Sequence, residues 1–152
     1  EMNHRIRARG GLIWFTPRMH VTYRPRPNVR ALGRQYMHYG RWRREVMRRH
    51  PETARSLGAL RYFAPPLVTL AVMLGTVVGV AGWLVDGPNA LVGIPLLYAL
   101  GVVAVSPIVA RGESTAVLAR VPLALATMHL SWGWGFLTSP NGLRDGELSG
   151  SR

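Results

Sequence analysis

Charged positions divide the second half of the chain into apolar blocks. Tyr62–Val85 and Gly87–Ala110 each run 24 residues without a charge, and Val121–Leu143 runs 23. A helix that crosses a hydrocarbon core of about 30 Å needs about 20 apolar residues. The first two blocks meet that length, and two in succession are hard to house as buried helices of one small soluble domain. They predict transmembrane helices over about 66–85 and 90–110. Pro65-Pro66 suits a helix start, where the missing N–H would lack a partner anyway. Asp86-Gly87-Pro88-Asn89 is a turn cluster that joins the two spans as a hairpin. Gly75 and Gly79, with Gly82 one turn on, form a small-residue face that admits a close neighbour. Glycine is also simply frequent in membrane helices, and so short a motif reads more readily that way. The third block is weaker. Its core, 121–137, has 17 residues and carries His129, Ser131 and Trp132-Gly-Trp-Gly135. It admits a full span, which we favour, or a re-entrant or interfacial helix. Residues 139–152, with Pro, Asn, Gly, Ser and charges, predict a disordered tail.

The first half has a different pattern. Residues 1–9 read as the end of a helix, stopped by Gly10-Gly11. Leu12-Ile-Trp-Phe15 predicts a short buried strand, and the alternation His20-Val-Thr-Tyr23 a second, ended by Pro25 and Pro27. One helix and two strands cannot build a core, so 1–27 reads as the edge of a larger domain whose chain starts before Glu1. Residues 28–50 form the clearest helix. Asn28 is a good N-cap. Val29, Leu32, Tyr36, Tyr39, Trp42 and Val46 make one apolar-aromatic face. Arg30, Arg34, Arg41, Arg44 and Arg48 fall within about 80° of one another on the opposite face, at about 100° per residue. His50-Pro51 closes the helix.

Charge sharpens this division. Of the 19 basic residues, all Arg, 15 precede Tyr62, against three acids, Glu1, Glu45 and Glu52. The whole excess of +12 therefore sits in front of the apolar half. The lack of Lys reads as codon bias of a GC-rich genome. A basic amphipathic helix next to a span predicts a helix lying in the membrane interface. Each Arg near anionic lipid contributes about 1 kcal/mol, and Arg30, Arg34 and Arg48 are the residues expected to meet the lipid headgroups. By the positive-inside rule the N-terminal part is cytoplasmic, the Asp86 turn outside, and Arg111 and Arg120 inside again. No secretory signal is visible, since the first 30 residues hold only the apolar run Leu12–Phe15. The expectation is a multi-pass protein of a bacterial plasma membrane, with lipid as a partner.

Candidate chemistry is sparse. The absence of cysteine excludes disulfides, thiolate zinc sites and a thiol nucleophile. His4, His20, His38, His50 and His129 have no metal-ligand spacing. His129 stands in the third apolar block, where an ionisable residue is a functional hypothesis by default, although it reads more readily as a hydrogen-bond partner of a neighbouring helix. Arg interleaved with Tyr and Trp also suits nucleic acid. That reading predicts a soluble protein and sits poorly with two spans a dozen residues on, so no nucleic-acid partner is expected.

Several stretches carry a family resemblance: Glu1-Met-Asn-His-Arg-Ile-Arg-Ala-Arg-Gly-Gly-Leu-Ile-Trp-Phe-Thr-Pro17, Val21-Thr-Tyr-Arg-Pro25, Arg34-Gln-Tyr-Met-His-Tyr-Gly-Arg-Trp-Arg-Arg44, Leu60-Arg-Tyr-Phe-Ala-Pro-Pro66 and Met128-His-Leu-Ser-Trp-Gly-Trp-Gly-Phe136. In this order they resemble the C-terminal third of family 2 glycosyltransferases. The likeness is to bacterial, actinobacterial-type enzymes of succinoglycan-like exopolysaccharide synthesis. The resemblance implies a mainly α membrane protein. Residues 1–27 would be the C-terminal edge of a GT-A-like α/β domain, 28–61 the interfacial helix and linker, and 62–138 a membrane domain of two or three transmembrane helices. It implies an enzyme that moves sugar from a nucleotide sugar to a lipid-linked or polysaccharide acceptor, with a divalent metal, Mg or Mn, in the whole protein and none on this stretch.

The family's acidic catalytic motif ends in residues that Glu1-Met2 match, which places its Asp two residues before Glu1. The stretch alone would then be inactive, with Glu1 at the edge of the catalytic site. Such a reaction needs a carboxylate to take the acceptor proton and positive charge over the departing diphosphate. Gln35, Arg41 and Trp42 stand where processive relatives carry Gln-x-x-Arg-Trp, here with five residues between Gln and Arg. With Arg44 they are the expected substrate-binding residues, Arg41 on a phosphate and Trp42 on a sugar. Trp42 at the edge of the apolar face is read more readily as packing. The alternative class is a small non-enzymatic membrane anchor or assembly protein that binds anionic lipid through the Arg-rich helix.

Overall fold

The structure, a computed structural model, describes residues 2–22, 24–51 and 60–141. The described residues are helical or irregular, with no strand among them. Helix α1 (Met2–Ala8) ends at Gly10, whose φ of 77° turns the chain in the left-handed region that glycine enters without strain. Helix α2 spans Val29–Arg49, capped by Asn28, whose side-chain oxygen accepts from the Ala31 amide at 2.8 Å. The apolar half holds α3 (Leu60–Asp86), a single 3₁₀ turn (Ala90–Val92), α4 (Gly93–Val109), the short α5 (Thr115–Leu118) and α6 (Val121–Leu137).

Two helical stretches, Arg61–Asp86 with 26 residues and Ala90–Val109 with 20, are long and apolar enough to cross a membrane. Their large apolar side chains point outward on all sides, among them Leu67, Val77, Leu84, Leu97, Leu100 and Ile108. A helix apolar all round needs an apolar solvent. α3 and α4 form the expected hairpin. At its tip the Asn89 amide donates to the Gly79 carbonyl at 2.9 Å, and its side-chain oxygen accepts from the Leu91 amide at 2.9 Å. The glycine face is a working contact rather than a compositional accident. A Cβ on Gly75 would stand 2.9 Å from Ile94, and one on Gly79 2.8 Å from the Val92 nitrogen. α3 begins earlier than expected, at Leu60 rather than Pro66, with both prolines inside it. They fall just after the first turn, so the only ladder bonds lost are those to the Arg61 and Tyr62 carbonyls, near the helix mouth.

The two expected strands do not form. Residues 11–15 and 20–22 are irregular, and Leu12, Trp14 and Phe15 are 90%, 86% and 88% exposed. A strand is held by its ladder and by the face it buries, and no extended neighbour accompanies this one among the described residues. The GT-A-like edge thus has no strand to show here. Residues 142–152 of the predicted tail 139–152, residues 52–59 of the linker and Glu1 lie outside the described residues.

The largest departure concerns α2. Its apolar-aromatic face was expected to lie against lipid. α2 instead packs side by side with α6, the two running in the same direction, through a different stripe: Gly33, Met37, Gly40, Arg44 and Met47. A Cβ on Gly40 would land on the Trp132 carbonyl, and one on Gly135 on the Met37 carbonyl. The backbones are therefore in direct contact, which only glycine permits. Gly133, two residues from Gly135 and so on the opposite side of α6, faces Thr69 and the Pro65 carbonyl of α3. α6 is a wedge between α2 and the hairpin. Its partners on the hairpin run from the end away from the tip to about the middle. Phe136 meets Phe63 edge-on at 6.1 Å, and His129 meets Tyr98 at 6.4 Å between ring centres. Leu125 shares a cleft with Val102 and Val105.

Candidate functional site

With its seam given to α6, α2 turns its aromatic face onto open space. Tyr36, Tyr39, Trp42 and Val46 line one wall of a cavity of about 650 Å³, closed by Tyr62 and Pro65 of α3 and by Met128, His129 and Trp132 of α6. Arg43 and Arg61 stand at its polar end. The Arg43 guanidinium lies 3.9 Å from the centre of the Tyr62 ring. That of Arg61 lies 4.9 Å from the same centre and donates to the Tyr62 hydroxyl at 2.8 Å. Two cations thus share one aromatic ring. Neither has a carboxylate partner among the described residues. The carboxylate nearest in sequence to Arg43, Glu45, is buried and bonded to Arg49 at 2.8 Å and Arg48 at 3.5 Å.

A second cavity, of about 340 Å³, opens on the other side of Tyr39 and Trp42. Arg26, Arg34, Gln35 and His38 line it. The Arg26 Nε donates to the Gln35 side-chain oxygen at 2.9 Å, and the Gln35 amide donates to the Tyr39 hydroxyl. Burial, then the charges of Arg41 and Arg34, push the His38 imidazole below its ordinary value, so it is neutral at pH 7. Its Nδ1 and the Arg41 Nε are buried without a hydrogen-bond partner among the described residues.

The expected substrate residues are thereby distributed. Gln35 and Trp42 border the same small cavity, and Trp42 also borders the large one. Arg41 lines neither, and its carbonyl accepts from the Ser139 hydroxyl at 3.2 Å. Arg44 is committed to the end of α6, donating to the Phe136 carbonyl at 2.9 Å and the Leu137 carbonyl at 2.6 Å. Arg48 continues the clamp to the Pro140 carbonyl at 2.7 Å and the Ser139 carbonyl at 3.2 Å. These carbonyls belong to the helix's last turn and the residues just after it, where carbonyls lack intrahelical partners. Of the three Arg expected to meet headgroups, Arg30 and Arg34 are exposed and Arg48 is held by this clamp. Glu1 lies outside the described residues.

Sequence reasoning passed over Arg43, Arg61 and Tyr62. Arg43 sits within the apolar-aromatic face, off the arginine stripe, and its partner is 19 residues on, which no helical period connects. The one available signal was an arginine interrupting an aromatic face beside a Tyr at the mouth of a span. Among the described residues no three His, Asp or Glu side chains come together as metal ligands.

No family model matches the chain. No solved structure matches it either. Among curated proteins, the succinoglycan biosynthesis protein ExoA of Rhizobium meliloti (strain 1021) is 28% identical over 136 residues, which is 90% of this chain and 38% of that protein. The chain therefore spans well under half the length of the relative it matches. A likeness across nearly all of this chain ties the Arg-rich helix and the apolar hairpin together to an exopolysaccharide-synthesis protein.

Proposed function

We propose that this chain is the C-terminal, membrane-bound part of a family 2 glycosyltransferase of exopolysaccharide synthesis, moving sugar from a nucleotide donor to a lipid-linked or polysaccharide acceptor at the cytoplasmic face. The likeness to a succinoglycan biosynthesis protein over 90% of the chain carries this reading. The run Leu12–Phe15 supports it: the exposed Leu12, Trp14 and Phe15 beside α1 are what the rim of a further domain would cover. Donor-site chemistry and the divalent ion would belong to that domain.

The roles of this chain are to hold and to orient. The two long apolar helices anchor it, and α2 and α6 form a layer across the hairpin's inner end. The layer keeps the catalytic domain at the height of an acceptor in the bilayer, a proximity effect. Arg26, Arg34 and Gln35 offer cationic and amide donors to a diphosphate, and Trp42 offers a flat apolar surface to a sugar ring. Arg44 and Arg48 keep α2 fixed on α6, so that these groups hold their positions.

The test is transfer of labelled sugar from a panel of nucleotide sugars into the lipid and polysaccharide fractions by the full-length gene product in membranes. Transfer that falls at least about tenfold in Trp42→Ala supports the reading, by loss of substrate positioning. A gene product that binds anionic vesicles and transfers nothing establishes the non-enzymatic anchor instead.

A further inference from the structure

The smaller cavity, of about 340 Å³, has a wall whose charges are of one sign. Arg26 reaches it from the segment before α2, Arg34 and His38 from successive turns of the helix, and no carboxylate lines it. Glu45, the one acid of α2, is taken by Arg48 and Arg49. The bond from Arg26 to Gln35 uses Nε and leaves the two terminal nitrogens of that guanidinium out. α6 lends the cavity no residue, so the charges that face His38 are Arg26, Arg34 and Arg41. His38 is the odd member of this set. Burial, then Arg41 and Arg34, hold it neutral at pH 7, and its Nδ1 is buried with no hydrogen-bond partner among the described residues. The arginines repel the proton that would charge the ring. An anion set against Arg26 and Arg34 offsets that repulsion and gives a protonated ring an acceptor.

We propose that this cavity is a proton-linked anion site: a phosphate group settles against the Arg26 and Arg34 guanidiniums, and His38 takes a proton from solvent as the anion binds and gives it back as the anion leaves. Guanidinium forks suit phosphate oxygens, and the volume lies at the lower end of ligand pockets, about 300–1,000 Å³. None of Arg26, Arg34 and His38 belongs to the Gln35, Arg41 and Trp42 pattern of the processive relatives. The inference rests on the reading that gives Arg26 and Arg34 a diphosphate, and adds to it a titrating donor that ties binding and release to local pH. The sign is fixed. The empty site holds His38 below its ordinary value, so affinity rises as pH falls and levels off once the unbound ring is itself charged. A nucleotide's diphosphate and free phosphate share this chemistry.

The test is titration calorimetry of the full-length gene product in detergent, in buffer without divalent ions. The main probe is inorganic sulfate. It has the shape of phosphate and stays a dianion throughout, so any pH dependence belongs to the protein. Sulfate should bind at least about fivefold more tightly at about pH 6 than at about pH 7.5. Buffers of different ionisation enthalpy should report an uptake of up to one proton per anion. His38→Gln keeps the affinity at the higher pH and loses the rise. R26Q/R34Q weakens sulfate about tenfold or more at both values. Inorganic phosphate and the nucleoside diphosphates ADP, GDP and UDP separate the two sources. A nucleotide held about tenfold more tightly than phosphate, with that gain lost in R26Q/R34Q, is the natural anion; without such a gain free phosphate is. Circular dichroism of the variants confirms the helices, and a variant that unfolds is replaced by His38→Asn or by Arg34→Gln alone. Equal sulfate affinity at the two pH values, the same rise in His38→Gln, or full affinity in R26Q/R34Q overturns the site. The two readings fail separately. Proton-linked sulfate binding by a gene product that transfers no sugar leaves the site standing without the enzyme. Sugar transfer with sulfate binding indifferent to pH leaves the enzyme standing without the site.

Discussion

At the scale of single residues, the contact between α2 and α6 depends on the absence of a side chain at Gly40. A Cβ there meets the Trp132 carbonyl, which belongs to the backbone and cannot rotate aside. Gly40→Ala is expected to cost about 1–3 kcal/mol through overpacking, although alanine is the better helix former by up to about 1 kcal/mol. Gly101→Ala is the control, because its Cβ meets open space. Thermal unfolding in detergent should show a lower midpoint for Gly40→Ala and an unchanged or higher one for Gly101→Ala. His38 gives a pH dependence of definite sign. Its folded-state pKa lies below the ordinary 6.5 because of burial and then Arg41 and Arg34. Between the folded value and 6.5 the unfolded chain binds more protons, so stability falls as pH drops through that window and the loss levels off below the folded pKa. Melting at a series of pH values between about 7.5 and 5 should show a steeper decline for the wild type than for His38→Gln. Parallel declines would remove His38 from the balance.

At the scale of elements, what could be read from the chain depended on whether the deciding partner was local. The Asn28 cap, the Gly10 stop and the hairpin turn at Asp86–Asn89 are settled within a few residues, and each stands where the pattern put it. The Leu12–Phe15 strand needed a ladder partner, and none accompanies it among the described residues. The face by which α2 packs needed a partner about 95 positions away. The strong aromatic period pointed to the wrong side, because that side lines a cavity while the buried seam is built from glycines and methionines. Gly33 and Gly40, seven apart, were the readable trace of the seam, as Gly133 and Gly135 were of a helix wedged between two others. The arginines of α2 misled in the same way: Arg44 read as a substrate residue from its neighbours in sequence, while its bonds are to carbonyls at the end of α6. Arg44→Ala should therefore free that turn, with a loss of about 1.5–3 kcal/mol for hydrogen bonds from a charged group. Deuterium exchange should quicken at the amides of 136–138. Arg43→Ala, one residue along the same helix, should leave those amides as they are.

At the scale of the whole molecule, the question is how the third apolar segment meets the bilayer. It has 17 residues, and its partners on the hairpin, Phe63, Pro65 and Thr69 of α3 and Tyr98, Val102 and Val105 of α4, run from the end away from the tip to about the middle. A third span would run the length of the hairpin and meet its tip. α6 also runs beside α2, which carries seven arginines and could not follow it across a hydrocarbon core. Both facts argue that α6 lies across the inner end of the hairpin, with Arg120 and Thr138 on the same side of the membrane. The chain has no cysteine, so single substitutions report without background. Asp86→Cys, Arg111→Cys, Arg120→Cys and Thr138→Cys, labelled in intact cells and in inverted vesicles with a membrane-impermeant maleimide, separate the two arrangements. The expected outcome is Asp86→Cys labelled from outside and the other three from inside. Thr138→Cys labelled together with Asp86→Cys would make α6 a third span. It would also either carry α2 into the bilayer or break the glycine seam, and Gly40→Ala melting tells these apart, since only a broken seam removes the effect of that substitution.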